Sequence, residues 1–175
     1  SESPKGIVAE IGCHYGKTLS QLASDHPERA FVGLDITFKR VVKTANKLQS
    51  IKARNAVSCF FDGVNLHHLF HQDELEGIVI FFPDPWNKRS KQKHRIVNEE
   101  NIHNWTKVVR PGGFIWFKTD QEEYYTQSRA LFENSDFTKE ESQNTPFATD
   151  YLSTFEAHFH RSGIKSHVLL LRNIK

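Results

Sequence analysis

The chain has no methionine, two cysteines, six prolines and nine glycines in 175 residues. Cys13 and Cys59 are too few for a disulfide framework, and neither belongs to a Cys-x-x-Cys pair of the zinc or redox kind. A reducing cytoplasm is therefore the expected setting. Uninterrupted apolar runs such as Ile78 to Phe82 fall far short of the roughly 20 residues of a membrane span, and no secretory apolar core is present. That rules out a transmembrane helix and leaves no membrane partner to expect. The missing methionine, with Ser1 first, is what initiator removal or a start part-way along a longer chain would leave. Repeats, low-complexity stretches and linkers are also absent, so residues 1–175 are expected to form one domain around one core.

What is present supports such a core: 38% of residues are hydrophobic and 14 are Phe. Net charge is only +2, but its distribution is polarised. Segment 88–95 holds five Lys/Arg and no acid, whereas 120–156 holds nine acids against Arg129 and Lys139. This arrangement suits a polyanion that brings a neutral group to a carboxylate-lined site, although solvated charged faces would look the same.

Ile7 to Ile11 reads as a buried strand, Gly12 to Gly16 as a turn and Thr18 to Asp25 as a helix. Ala30 to Asp35 is a second strand, followed by a helix from Phe38 to Gln49 with Val41, Val42, Ala45 and Leu48 on one face. Ala56 to Phe61 makes a third strand, 66–75 a short helix, Gly77 to Phe82 a fourth strand, and 97–109 a helix. Pro111-Gly112-Gly113 turns into strand Phe114 to Lys118, and a helix spans 121–134. Phe137 to Glu141 and His167 to Leu171 predict an antiparallel pair at the sheet edge, with His158 and His160 in an extended stretch between them. Short strands alternating with helices predict an α/β fold, doubly wound around a mostly parallel sheet.

Ligands of such sheets bind beyond the carboxyl ends of the strands. Acids stand at or near five such ends: Glu10, Asp35, Asp62, Asp84 and Asp120. Any one could be no more than a helix N-cap, but all five are hard to explain by capping. Asp35 follows Gly12 by 23 residues, the spacing at which an acid reaches the ribose hydroxyls of an adenosine cofactor. Gly12-Cys13-His14-Tyr15-Gly16 lacks the G-x-G-x-x-G pattern that cradles a pyrophosphate, which favours an adenosine cofactor without phosphates. S-adenosylmethionine is one, with Glu10 near its methionyl end and Asp62 near the adenine amino group. Two prolines flank Asp84 in Phe81-Phe82-Pro83-Asp84-Pro85-Trp86-Asn87-Lys88 and stiffen the loop that presents it. His67, His68 and His71 have no acid or Cys at helical spacing to complete a metal site, so no metal is expected.

Phe82-Pro83-Asp84-Pro85-Trp86-x-Lys88 with the basic run to Arg95, then Lys118-Thr119-Asp120, then Thr154-Phe155-Glu156, together resemble the tRNA (guanine-N7)-methyltransferase family. Glu10-Ile11-Gly12 and Gly33-Leu34-Asp35 extend the likeness over nearly the whole chain. The resemblance implies a seven-stranded class I methyltransferase that transfers methyl from S-adenosylmethionine to N7 of a variable-loop guanosine, with tRNA as partner and no obligate protein partner. It places Glu10, Gly12, Asp35, Asp62 and Asp84 at cofactor positions, and Lys88, Asp120, Ser153, Thr154, Phe155 and Glu156 at substrate positions. Asp84 is the expected catalytic group, and Lys88, Arg89, Lys91, Lys93 and Arg95 are expected to hold phosphates. The sequence departs from the family in having His14 where a second glycine is usual, Ser153-Thr154-Phe155-Glu156 for Thr-Lys-Phe-Glu, and a basic N-terminal extension that is absent or trimmed. Another class I RNA methyltransferase, or a weakly catalytic RNA-binding subunit of the same fold, would share these features.

Overall fold

The computed structural model describes residues 4–140 and 145–175. Seven strands form one sheet in the order β3-β2-β1-β4-β5-β7-β6. They are β1 (Ile7–Ile11), β2 (Ala30–Asp35), β3 (Ala56–Phe60), β4 (Leu75–Phe81), β5 (Val109–Thr119), β6 (Phe137–Lys139) and β7 (His167–Asn173). The first five run parallel; β7 is antiparallel to β5, and β6 is antiparallel to β7. The α/β class and the antiparallel edge pair are as the sequence predicts; Glu141, expected to end β6, lies outside the described residues. Chain order reverses at β1, whose neighbours are β2 and β4, so the ligand-binding crevice of this topology opens above β1.

Helices α1 (Lys17–Asp25), α2 (Phe38–Ser50), α3 (Glu99–Val108), α4 (Glu122–Glu133) and α5 (Thr154–Arg161) complete the fold. Two apolar clusters cover the two faces of the sheet. One joins Leu66, Ile102, Trp105, Tyr124 and Phe132 to Ile78, Ile80 and Phe117; the other joins Leu19, Leu22 and Leu48 to Val8, Phe31, Val79 and Trp116. β1 and β4 are buried on both sides, which is why they read as unbroken apolar runs. At Gly33 a Cβ would come within 2.6 Å of Leu19, so only glycine lets α1 lie this close to β2.

Three local expectations are corrected. On α2 the buried face is Val41, Thr44 and Leu48, while Val42 and Ala45 are exposed, because this helix covers the margin of the sheet with a narrow stripe. Thr44 is accommodated there by donating its hydroxyl to the His14 carbonyl at 3.0 Å. Instead of a helix over 66–75, a 3-10 segment spans Gly63–His68 with only Gly63 and Leu66 buried, since beyond Leu69 and Phe70 the polar run His71 to Glu74 has no stripe to pack. His158 and His160 lie in α5, not in an extended stretch. Ser153 caps that helix by accepting the Glu156 amide proton at 3.0 Å.

Candidate functional site

A cleft of about 250 Å³ opens above the carboxyl ends of β1 to β4, and Gly12, His14, Asp35, Asp62, Asp84 and Phe155 are among its lining residues. A smaller hollow, which shares Gly12, His14 and Phe155 with the cleft, reaches down to Glu10. Glu10 is buried and its Oε2 has no hydrogen-bond partner among the described residues. Burial pushes its carboxyl up to about 8, with the Asp35 charge adding to the rise and a backbone hydrogen bond at Leu19 opposing it. An unsatisfied acceptor buried at the floor of a hollow is a place for a ligand's cationic donor.

Asp35 is aimed by its surroundings. It accepts the His14 amide proton at 3.1 Å and the Thr37 amide proton at 2.8 Å, with Arg40 at 3.7 Å. Two amides occupy only part of a carboxylate's acceptor capacity, so Asp35 can still receive hydroxyl protons from the cleft. His14, beside it, has φ +51°, a left-handed backbone that favours glycine and costs about 1 kcal/mol with a side chain. The imidazole lies edge-on to Phe155 at 5.3 Å, and burial, then Arg40, lowers its pKa. Asp62 caps the 3-10 segment by accepting the Val64 amide proton at 3.2 Å, and also lines the cleft.

On the opposite wall, Phe82 and Trp86 both adopt left-handed φ, at +52° and +46°, so the 82–86 loop is wound tightly around Asp84. Asp84 is exposed to the cleft and makes no hydrogen bond to a described residue. Arg95 holds the loop in place. It is 4% exposed, donates to the Pro85 carbonyl at 2.7 Å, contacts Gln127 and lies over the Tyr124 ring at 4.6 Å. Its expected role on a phosphate is thereby corrected, because a guanidinium sealed under the loop does not meet solvent. Lys88, Arg89, Lys91 and Lys93 remain exposed, with no acid in ion-pair range among the described residues.

The candidate substrate residues are only partly brought together. Phe155 overhangs both cavities, Ser153 lines the smaller one, and neither Lys88 nor Asp120 lines the cleft. Asp120 accepts a hydrogen bond from the Gln121 side-chain Nε2 at 2.5 Å. The Thr154 side chain lies outside the described residues. Glu156 is buried against Lys118, which is itself 0% exposed and also donates to Asp150 at 2.7 Å and to the Tyr151 carbonyl at 3.1 Å. Tyr151 in turn donates to Asp25 at 2.9 Å and meets His26 at 3.0 Å, which ties the segment before α5 to α1. Sequence reading gave Lys118 no task, yet a lysine inside the apolar strand Phe114 to Phe117 has to be paired, and that signal was available. The described residues contain no group of three or more His, Cys, Asp or Glu placed to hold a metal ion, and no helix long and apolar enough to cross a membrane.

A family model described as "Putative methyltransferase" matches residues 4–169. The tRNA (guanine-N(7)-)-methyltransferase of Bdellovibrio bacteriovorus is 30% identical over 96% of this chain and 83% of its own length. Its namesake from Thermotoga maritima is 29% identical over 97% of this chain but 54% of its own length. In Cutibacterium acnes the figures are 38% over 67% of this chain and 43% of the relative, so the chain spans about half of these two proteins. Among solved structures, an rRNA methylase from Streptococcus thermophilus superposes with a TM-score of 0.64 at 13% identity, covering 99% of this chain and 89% of that one. The antibiotic-resistance methyltransferase Kmr gives 0.67 at 14% identity, covering 98% and 88%. These two likenesses establish the fold alone.

Proposed function

This chain belongs to the tRNA (guanine-N7)-methyltransferase family, and from that premise we propose that it moves the methyl group of S-adenosylmethionine to N7 of a variable-loop guanosine in tRNA. The observation that carries the reading is the collection of strand-end carboxylates Asp35, Asp62 and Asp84 around one cleft, with the unpartnered Glu10 oxygen beneath it. When bound, the cofactor supplies an electrophilic methyl group on a sulfonium. Glu10 accepts the ammonium of its amino-acid end, Asp35 the ribose hydroxyls, and Asp62 borders the adenine. Gly12 leaves the floor open, since nothing lies within 4 Å of where its Cβ would be.

Guanine N7 carries an in-plane lone pair and no proton, so no general base is needed and alignment dominates. As methyl transfers, positive charge moves onto the purine and makes its N1–H and amino group better donors. A carboxylate facing that edge therefore interacts more strongly in the transition state than in the ground state. Asp84, rigidly presented and without another partner, takes that role, with Asp120 at the neighbouring strand end as the second acceptor. Phe155 or Trp86 stacks on the splayed base, and Lys88 with the exposed cations after it holds phosphates. Ser153 and Glu156 act here by fixing α5, so that Phe155 stays over the cleft. An enzyme acting on tRNA, with two free cysteines, works in the cytoplasm.

The test is incubation with methyl-labelled cofactor and unmodified tRNA, then nucleoside analysis. Label in 7-methylguanosine is expected; label on an exocyclic amine, or none, overturns the reading. Asp84→Ala should lower turnover by about 10²- to 10³-fold while tRNA affinity changes by no more than about twofold.

A further inference from the structure

Helix α2 carries a charge pattern that neither its packing nor its own stability explains. Between Ile36 and Phe61 the chain has six cations, Lys39, Arg40, Lys43, Lys47, Lys52 and Arg54, and no acid. Arg40 faces Asp35 at 3.7 Å; among the described residues the other five have no acid in ion-pair range. Lys39, Lys43 and Lys47 recur every fourth residue and so form one stripe, with about 6 Å between successive side chains. Lys39 and Lys43 are exposed and Lys47 is half-buried, while the helix is held from its other side by Val41, Thr44 and Leu48.

The stripe gives the helix little net support. Like charges four residues apart repel. Lys39 and Arg40 sit in the first turn, at the positive end of the helix dipole, where Asp35 offsets only Arg40 and Thr37 makes no side-chain cap, whereas Lys47 in the last turn is favoured by the dipole. Lys43 Nζ lies over the Tyr15 ring at 4.7 Å, but none of the three lysines has an acid in ion-pair range among the described residues, which leaves their charge open to an external anion. The position of the helix indicates which one. Ile36 and Arg40, at its start, line the cleft, and α2 follows β2 whereas the basic segment 88–93 follows β4. The two groups of cations therefore flank the cleft on either side of β1.

We propose that the Lys39–Lys43–Lys47 stripe is a second docking surface for the phosphate backbone of tRNA, engaging the body of the molecule while the 88–93 segment holds the strand next to the methylated base. The proposal rests on the tRNA reading above and adds to it a surface that a short hairpin substrate would not reach. The spacing of the stripe lets successive side chains meet successive phosphates of one strand, and contacts of this kind position RNA without reading its sequence.

The experiment compares wild type with Lys39→Gln/Lys47→Gln, neither residue belonging to the cleft, in a filter-binding salt series on full-length tRNA. Affinity at low salt should fall on the order of tenfold, and the log–log salt slope should drop by about 1.8 for two contacts on duplex RNA. Thermal stability should be unchanged or higher, and methylation of a short hairpin bearing the target guanosine should be unaffected. Parallel salt lines would overturn the surface while leaving wild-type methylation, and with it the functional reading, intact. A slope change in a protein that methylates no tRNA would support the surface and remove the activity. Parallel lines on tRNA combined with lost binding to phosphatidylserine vesicles would overturn the surface in favour of a membrane-facing role.

Discussion

Glu10, buried beneath the cleft, is where a negative charge is least comfortable. A carboxyl buried with one oxygen unpartnered favours the neutral form, and its pKa of about 8 lies above the ordinary value near 4.5. A group whose folded pKa is raised contributes stability that is fully present below the unfolded pKa, here near 4.5. That contribution is lost as pH rises through about 8. Glu10→Gln removes the titration, so the variant should exceed wild type in urea stability by a few kcal/mol at most at pH 8.5 and match it near pH 4. Ligand binding carries the opposite sign: a cofactor ammonium requires the carboxylate, so wild type should release a proton on binding below pH 8. Cofactor affinity should then rise with pH up to that point. The Gln variant should bind weakly at every pH. Calorimetry in two buffers of different ionisation enthalpy measures the released proton, and its absence would remove Glu10 from the ammonium site.

Among the elements, the 82–95 segment separates two kinds of basic residue that look alike in sequence. Arg95 is buried under the loop it fixes, whereas Lys91 and Lys93 are exposed on the 3-10 segment Arg89–His94. Arg95→Met retains the apolar stem but loses the bond to the Pro85 carbonyl and the stacking on Tyr124. It should cost about 2–3 kcal/mol in urea unfolding and reduce turnover through a looser Asp84, with the tRNA salt slope unaltered. Lys91→Gln/Lys93→Gln should do the reverse, keeping stability within about 0.5 kcal/mol and lowering the slope by about 0.7 per contact on single-stranded RNA. A salt slope that falls in Arg95→Met would show the guanidinium reaching phosphate after all. Strands β1, β2 and β4 were legible because burial on both faces writes them as apolar runs. Helix α5 was not: Phe155 and Phe159 are four residues apart, but two histidines two apart imitate a strand period. Its capping by Ser153 and its anchoring through Glu156 to Lys118 are tertiary facts.

For the molecule as a whole, the strand-end acids could be read from sequence because the topology that gathers them follows from the alternation of strands and helices. Which of them remain free could not, since that depends on contacts between distant segments. Asp62 is a cap, Asp35 bridges two loops, Asp120 accepts from the Gln121 side chain, and Asp84 alone stands on the cleft wall with no hydrogen bond to a described residue. The cleft draws its walls from the carboxyl ends of β1, β2, β3 and β4 and from Arg40, Ile96 and Phe155, so a ligand seated there braces segments from nearly the full length of the chain. Its binding should therefore register as global stability. S-adenosylhomocysteine at 100 times its dissociation constant should add about 2.7 kcal/mol, which is a rise of roughly 5–10 °C in Tm for a domain of this size. Asp35→Ala removes charge-assisted bonds worth about 1.5–3 kcal/mol and weakens binding roughly 10- to 150-fold, so the same ligand concentration should yield about half the shift or less. The variant's own Tm also falls, because the His14 and Thr37 amides lose their acceptor, but the ligand-induced difference is independent of that loss. A shift in Asp35→Ala equal to that of wild type would mean that the ribose is held elsewhere, and would separate the fold's crevice from the site assigned to it.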